Sequence, residues 1–136
     1  MATDPIVVEV VVPTDATPAF VAFTAEMGQW WDPLLTPDPA TFTGIDVDPD
    51  GDVRMVCGDD KIPFGAVTCW EPDREFAMDF WLAHPKPAST VRVTFTAEGD
   101  TSTRVRLEHS GLPVESAGKF RHWDDLMARY AAHVSR

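Results

Sequence analysis

Hydrophobic and polar positions divide the chain into three parts with different periods. Residues 6–12 form a β-branched, almost wholly apolar run broken only by Glu9. This run predicts a strand that is covered on both sides and ends at Pro13. From 41 to 110 the apolar positions recur every second residue, and after Pro113 they recur every three or four. No stretch between these parts reads as a linker or a repeat, so one domain is predicted.

Two short helices are predicted between the first strand and the strand-rich part. Thr17 followed by Pro18 is a typical helix start, because threonine caps free amides and proline there has no N–H to lose. Apolar residues follow at helical spacing, and Gly28 is predicted to close this helix. Residues 29–34 then predict a second helical turn that carries two adjacent tryptophans.

The strand-rich part predicts an antiparallel meander of six strands. Turn chemistry occurs at 50–51, 72–73, 85–87 and 99–100. The alternation places one face of each strand toward a core and the other toward water. For the last two strands, the predicted inward residues are Val91, Val93, Phe95, Val105, Leu107 and His109.

A long amphipathic helix is predicted at the C-terminal end. Asp125 and Arg129 are placed to pair on its polar face. A long antiparallel sheet and one such helix bury both apolar surfaces when the sheet wraps around the helix, which predicts a curved α+β fold. The apolar stripe of the helix comprises Phe120, Trp123, Met127, Tyr130 and Val134.

Composition indicates a soluble globular domain and narrows the partners. The chain has 136 residues, 44% hydrophobic and 24% charged, and a net charge of -11. Residues 1–60 hold twelve acidic side chains and only one basic one, Arg54, so they would repel nucleic acid and anionic membranes. No signal peptide and no membrane-inserting segment are predicted, and Cys57 and Cys69 are expected to be reduced thiols. We therefore predict a cytoplasmic protein without a nucleic-acid partner.

Metal and cofactor motifs are weak. Residues 46–51 match the D-x-D-x-D-G opening of a calcium loop, but the twelfth position is Cys57 and Arg54 places a positive charge inside the loop. We interpret this segment as a solvated acidic hairpin. The four histidines do not cluster with the cysteines at zinc-ligand spacing, and no phosphate loop or dinucleotide fingerprint occurs. No metal and no cofactor are predicted.

Several motifs match a known family. They are T-P-A-F-V-A-F-T-A-E-M-G-Q-W-W at 17–31, G-A-V at 65–67 before W-E-P at 70–72, F-W at 80–81, T-R-V at 103–105 before L-E-H-S-G at 107–111, and the helix 123–130. Together with the element order, these motifs resemble the START-like superfamily, also called SRPBCC or the birch-pollen-allergen fold. Within it the chain is similar to the branch named for the activator of the heat-shock-protein-90 ATPase.

This resemblance covers about residues 6–134 and implies a fold and a function. The implied fold is one helix-grip domain over 1–136, ordered strand, two helices, six strands and helix, with a curved seven-stranded antiparallel sheet around the last helix. Members of the superfamily bind lipids, sterols, polyketides or hormones between sheet and helix, and a few are cyclases or hydrolases. The first hypothesis is therefore a monomeric or homodimeric binder of an apolar or aromatic small molecule.

Two other hypotheses remain open. In one, the same cavity supports cyclase-like or hydrolase-like proton transfer, with His109 as acid or base and Tyr130 as donor. In the other, the acidic N-terminal half binds a partner protein, as the co-chaperone branch name suggests. The alternative for His109 is a buried ring satisfied by a backbone carbonyl or water, and for Tyr130 a core ring whose tip reaches the surface.

Aromatic and methionine side chains complete the predicted ligand site. We favour pocket lining for Trp123 and for one of Trp30 and Trp31 at the mouth, core filling for Trp70, and leave Trp81 unassigned. As isolated residues, most of the others would be assigned to the core. The predicted ligand-binding residues are Trp30, Trp31, Phe42, Met55, Phe64, Met78, Phe95, His109, Phe120, Trp123, Met127 and Tyr130.

Overall fold

The computed structural model describes residues 5–33, 38–81, 89–111 and 123–135. Within these ranges the order is strand, two helices, six strands and helix, so the predicted α+β class and element order are confirmed. The elements are β1 (Ile6–Val12), α1 (Ala16–Thr24), α2 (Met27–Trp30), β2 (Phe42–Val47), β3 (Asp52–Cys57), β4 (Asp60–Glu71), β5 (Glu75–Phe80), β6 (Ser89–Ala97), β7 (Thr103–Ser110) and α3 (Trp123–Val134).

The seven strands form one antiparallel sheet in the order β1-β7-β6-β5-β4-β3-β2. Strands β2 to β7 are the predicted six-strand meander, and β1 closes the far side by pairing with β7, Val10 opposite Val105. The pairing register changes at one point in each of β2, β3 and β4, and each change is a β-bulge or an irregularity. Because bulges bend a strand and increase its twist, they help the sheet to curl. The curled sheet presents its concave face to the helices.

The first strand is an edge strand with one exposed face. Val7 and Val11 are 45% and 50% exposed, and they alternate with partly buried residues. The prediction of a strand covered on both sides was therefore wrong. An apolar run does not distinguish a buried strand from an edge strand whose outer valines face water. On this outer face Glu9 accepts a hydrogen bond from Arg104 Nη1 at 2.7 Å.

The two N-terminal helices differ from prediction at their ends. The cap of α1 is Asp15 instead of Thr17, and the helix ends at Thr24. Gly28 does not close α1 but lies inside α2, where a Cβ would be 2.5 Å from the backbone nitrogen of Ile45. The glycine permits a close approach of helix and strand, so its role was misread as a helix stop.

One hydrophobic core fills the space between the concave face and the helices. The helix α3 contributes Trp123, Leu126, Met127 and Tyr130 to this core. On its outer face Arg129 Nε donates to Asp125 Oδ2 at 3.1 Å, as predicted from their spacing. All six predicted inward residues of β6 and β7 are buried.

The acidic segment 46–51 lies in a surface turn, and the two cysteines are free thiols. The acidic segment 46–51 turns from β2 into β3, where Asp46 pairs with Lys61 at 2.9 Å and Asp48 Oδ1 accepts from the amide of Asp50 at 3.0 Å. Cys57 and Cys69 are both free. In the described part of the chain, no helix is long and apolar enough to cross a membrane.

Candidate ligand-binding site

Four aromatic rings meet between the sheet and the start of α3. Ring centroids are 5.6 Å apart for Trp31 and Phe64, 5.9 Å for Phe64 and Phe80, 6.0 Å for Phe80 and Trp123, and 6.0 Å for Trp123 and Trp31. Each of the four rings therefore contacts two of the others. The pairs are edge-on or tilted, and edge-on packing is favourable for aromatic rings. We call Trp31, Phe64, Phe80 and Trp123 the aromatic cluster.

The strand periodicity and the chain path bring these rings together. Phe64 and Phe80 are buried on the adjacent strands β4 and β5, and Gly65 is paired with Phe80. Trp31 follows α2 directly, and Trp123 is the first residue of α3. Each ring of the aromatic cluster is at most 3% exposed. The aromatic cluster is therefore buried and closed to solvent in this structure.

His109 joins the aromatic cluster to the sheet. It is fully buried in β7, with its ring centroid 5.0 Å from that of Phe80. Trp123 Nε1 donates to His109 Nδ1 at 2.9 Å, and His109 Nε2 lies 2.7 Å from Ser89 Oγ. Ser89 Oγ in turn donates to the carbonyl of Phe80 at 3.1 Å. This chain of hydrogen bonds ties α3 to three adjacent strands.

The direction of these hydrogen bonds determines the histidine tautomer. A tryptophan N–H is only a donor, so His109 Nδ1 must be the acceptor and Nε2 carries the proton. Nε2–H then donates to Ser89, whose hydroxyl donates onward to Phe80. A histidine that activates a serine needs the opposite arrangement, with an unprotonated nitrogen facing the hydroxyl. In this geometry the Ser89–His109 hydrogen bond has a structural role, since it links β6 to β7.

Tyr130 is also satisfied inside the protein. Its hydroxyl donates to the carbonyl of Ala19 at 2.8 Å, which links α3 to α1. The ring is fully buried against Phe23 and Trp30, with centroids 5.2 and 5.5 Å away. Burial raises the pKa of the Tyr130 hydroxyl above its usual value. The alternative of a core ring whose tip reaches the surface is therefore wrong, because Tyr130 is fully buried and its hydroxyl donates to α1.

The raised pKa of Tyr130 predicts a loss of stability in alkali. The unfolded tyrosine ionises near pH 10 while the folded one keeps its proton, so stability falls as pH rises beyond about 10 and is unaffected below. Tyr130→Phe should cost about 1 kcal/mol at pH 7, from the lost hydrogen bond, and decline less steeply in alkali. Urea unfolding from about pH 7 to 11 measures both effects. Equal alkaline slopes for the two proteins would contradict the assignment.

The other predicted ligand-binding residues that the structure describes lie in the same core, and their burial ranges from partial to complete. Trp30 belongs with Phe23 and Tyr130, and its Nε1 donates to the carbonyl of Ala22 at 2.9 Å. Trp70 packs on Phe20, as expected for core filling. Phe120 lies outside the described residues. Met55, Met78 and Met127 are fully buried, Phe95 is buried, and Phe42 is partly buried against the core.

Two residues of the site were missed by the sequence reasoning. Ser89 precedes Val91 by one period of the strand alternation, and extending that alternation backwards would have placed it inward. Phe80 was noted only as part of a motif, although it alternates with Phe76 and Met78 on the buried face of β5. Both signals were present in the period of two.

Comparison with known proteins agrees with this architecture. A family model described as Activator of Hsp90 ATPase homolog 1-like protein matches residues 14–132, and no curated protein matches significantly. The solved structure of MLL2253 from Mesorhizobium loti is 19% identical, covers 94% of both chains and has a TM-score of 0.71. CalC from Micromonospora echinospora, described as a self-sacrificing resistance protein, is 21% identical over 96% of this chain and 94% of its own, with a TM-score of 0.71. Txn09, described as an anthrahydroquino-gamma-pyrone synthase, is 23% identical over 96% of both chains, with a TM-score of 0.64.

Proposed function

The chain belongs to the Activator of Hsp90 ATPase homolog 1-like family, and from this premise we propose that it binds a planar aromatic small molecule at the aromatic cluster. The observation that supports this function best is the closed circuit of four rings between β4, β5 and α3. When these buried rings separate, their faces and edges would contact a guest ring in a space shielded from water. The membership supports the START-like, SRPBCC architecture that was recognised in the sequence.

Affinity at this site would come from apolar burial and ring contacts. Aromatic pairs contribute about 0.5–1.5 kcal/mol beyond their area, so a guest that contacts several rings gains more than an aliphatic one. Polar groups in such sites are few and fix orientation. His109 is a buried polar side chain in contact with the rings, and Ser89 is its hydrogen-bond partner. A ligand hydroxyl or carbonyl would have to exchange with their mutual hydrogen bond.

The closed state of the cluster has a kinetic consequence. Because each ring is at most 3% exposed, a ligand enters only after the rings separate. Binding that requires such a change associates more slowly than the usual 10⁵–10⁷ M⁻¹s⁻¹. Slow association, with a rate that saturates as ligand concentration rises, is therefore expected.

A fused-ring quinone is the appropriate probe. The description of Txn09 as an anthrahydroquino-gamma-pyrone synthase supports this choice, since the two proteins share a fold. We would titrate the protein with 1,8-dihydroxyanthraquinone and follow binding by calorimetry. Trp31→Leu should weaken binding about tenfold, because it removes one ring of the aromatic cluster.

Trp70→Leu is the matched control for this experiment. It loses the same side chain from the same core, but Trp70 packs on Phe20 and Phe76, away from the aromatic cluster. Phe76 precedes Phe80 by about 13 Å of extended strand. Trp70→Leu should bind the probe within twofold of the parent. Equal weakening by both variants, or no binding by the parent protein, would refute the proposal.

A further inference from the structure

A separate groove lies between α1 and the C-terminal end of α3. Its volume is about 240 Å³, and it is open to solvent. The apolar wall is formed by Pro18, Val21, Ala22 and Val134, and Val21 is 43% exposed. None of the residues that line the groove belongs to the aromatic cluster, so the groove is separate from the cluster.

The polar end of the groove contains the carboxylate of Glu26, which is hydrogen-bonded to the ring of His133. His133 Nε2 and Glu26 Oε1 are 2.7 Å apart, and both residues line the groove. Glu26 is 40% exposed in its side chain and, in the described part of the chain, pairs with no lysine or arginine. One carboxylate oxygen is therefore engaged, and the other is available to a ligand.

The histidine leaves the carboxylate with its charge. His133 Nδ1 is buried and has no hydrogen-bond partner among the described residues, so a proton there would be a buried donor without an acceptor. The geometry favours the neutral ring with its proton on Nε2, donated to Glu26. Held in this way, Glu26 is a positioned anion beside an apolar wall.

We propose that this groove binds a primary alkylammonium ion. The ammonium donates to the free oxygen of Glu26, and the alkyl chain lies along Val21 and Val134. The volume equals about eight water molecules at roughly 30 Å³ each, which suits a chain of about six carbons. The net charge of -11 further favours a cation over a carboxylate of the same length.

Hexylammonium tests the proposal directly. We expect it to bind with a dissociation constant on the order of 1 mM. In NMR spectra of the protein it should shift the methyl signals of Val21 and Val134 and the ring signals of His133. Hexanol should bind several-fold more weakly, because it keeps the chain but lacks the charge. Hexanoate should leave these signals unchanged.

Glu26→Gln separates charge recognition from a structural effect. Its amide oxygen still accepts from His133, so the fold is retained, but hexylammonium should bind about tenfold more weakly. Asp125→Asn is the matched control, since it removes one exposed carboxylate of α3 outside the groove. Its affinity should equal that of the parent. Equal binding of hexanoate and hexylammonium, or undiminished binding by Glu26→Gln, would overturn the proposal.

Discussion

Replacing Gly28 with alanine is expected to lower the free energy of unfolding by about 3 kcal/mol. The new Cβ would lie 2.5 Å from the nitrogen of Ile45 and 2.8 Å from Cα of Gly44. Both are backbone atoms of β2, which is held by its pairing with β3, so neither moves without disturbing the sheet. Urea unfolding should show a lower midpoint with an unchanged slope. The melting temperature should fall by about 10 °C.

Gly44→Ala is the control for this effect. A Cβ at Gly44 meets no atom within 4 Å, and its backbone lies outside the left-handed region. Alanine there should be neutral or stabilise the protein by up to about 1 kcal/mol, because it restricts the unfolded chain. Should the two variants prove equally stable, the close approach of α2 to β2 would be excluded.

The fold was predictable wherever a residue's environment follows from its own local period. Alternation in β6 and β7 identified the buried face because each strand has the helices on only one side. The stripe of α3 identified its packing face for the same reason. Prediction failed for β1 and Gly28, where the deciding fact is a distant neighbour. No local pattern reports that β1 is an edge strand or that β2 passes beside Gly28.

For the candidate site, the sequence predicted which side chains face the core. His109, Trp123 and Tyr130 were placed there by period alone, and all three are buried. Their hydrogen-bond partners were not predictable, because Ser89 and Ala19 lie 20 and 111 residues away in the sequence. Both polar groups were proposed to serve a ligand, with a ring satisfied inside the protein as the alternative for His109, and in this structure each has a protein partner. For His109, a hydrogen bond to a backbone carbonyl was one of the alternatives. In the structure it is the Tyr130 hydroxyl that donates to a backbone carbonyl, that of Ala19.

The satisfied interior constrains the proposed binding function. A ligand gains affinity only by the difference between its contacts and the ring and hydrogen-bond contacts it displaces. Planar aromatic molecules suit this exchange, since they replace ring contacts with ring contacts. A flexible aliphatic chain would not replace the edge-on contacts of the aromatic cluster. The ring contacts that stabilise the aromatic cluster are therefore the same contacts that the proposed ligand would replace.

Replacing His109 with alanine is expected to lower the free energy of unfolding by about 4 kcal/mol. The variant loses the ring contacts to Phe80 and Trp123 and leaves the buried indole N–H of Trp123 without its acceptor. His109→Gln should recover part of this loss, because its amide can both accept from Trp123 and donate to Ser89. Urea unfolding followed by tryptophan fluorescence measures each variant.

A double-mutant cycle separates the hydrogen bond from the packing. His109→Phe retains a ring but removes the acceptor, and Trp123→Phe removes the donor. An unpaired buried donor costs about 1–3 kcal/mol, whereas removing both partners leaves nothing unpaired at this contact. The double variant should therefore be about 1 kcal/mol more stable than the sum of the single losses predicts. Additive losses would mean that Trp123 and His109 pack together without the hydrogen bond, and the tautomer assigned to His109 would lose its basis.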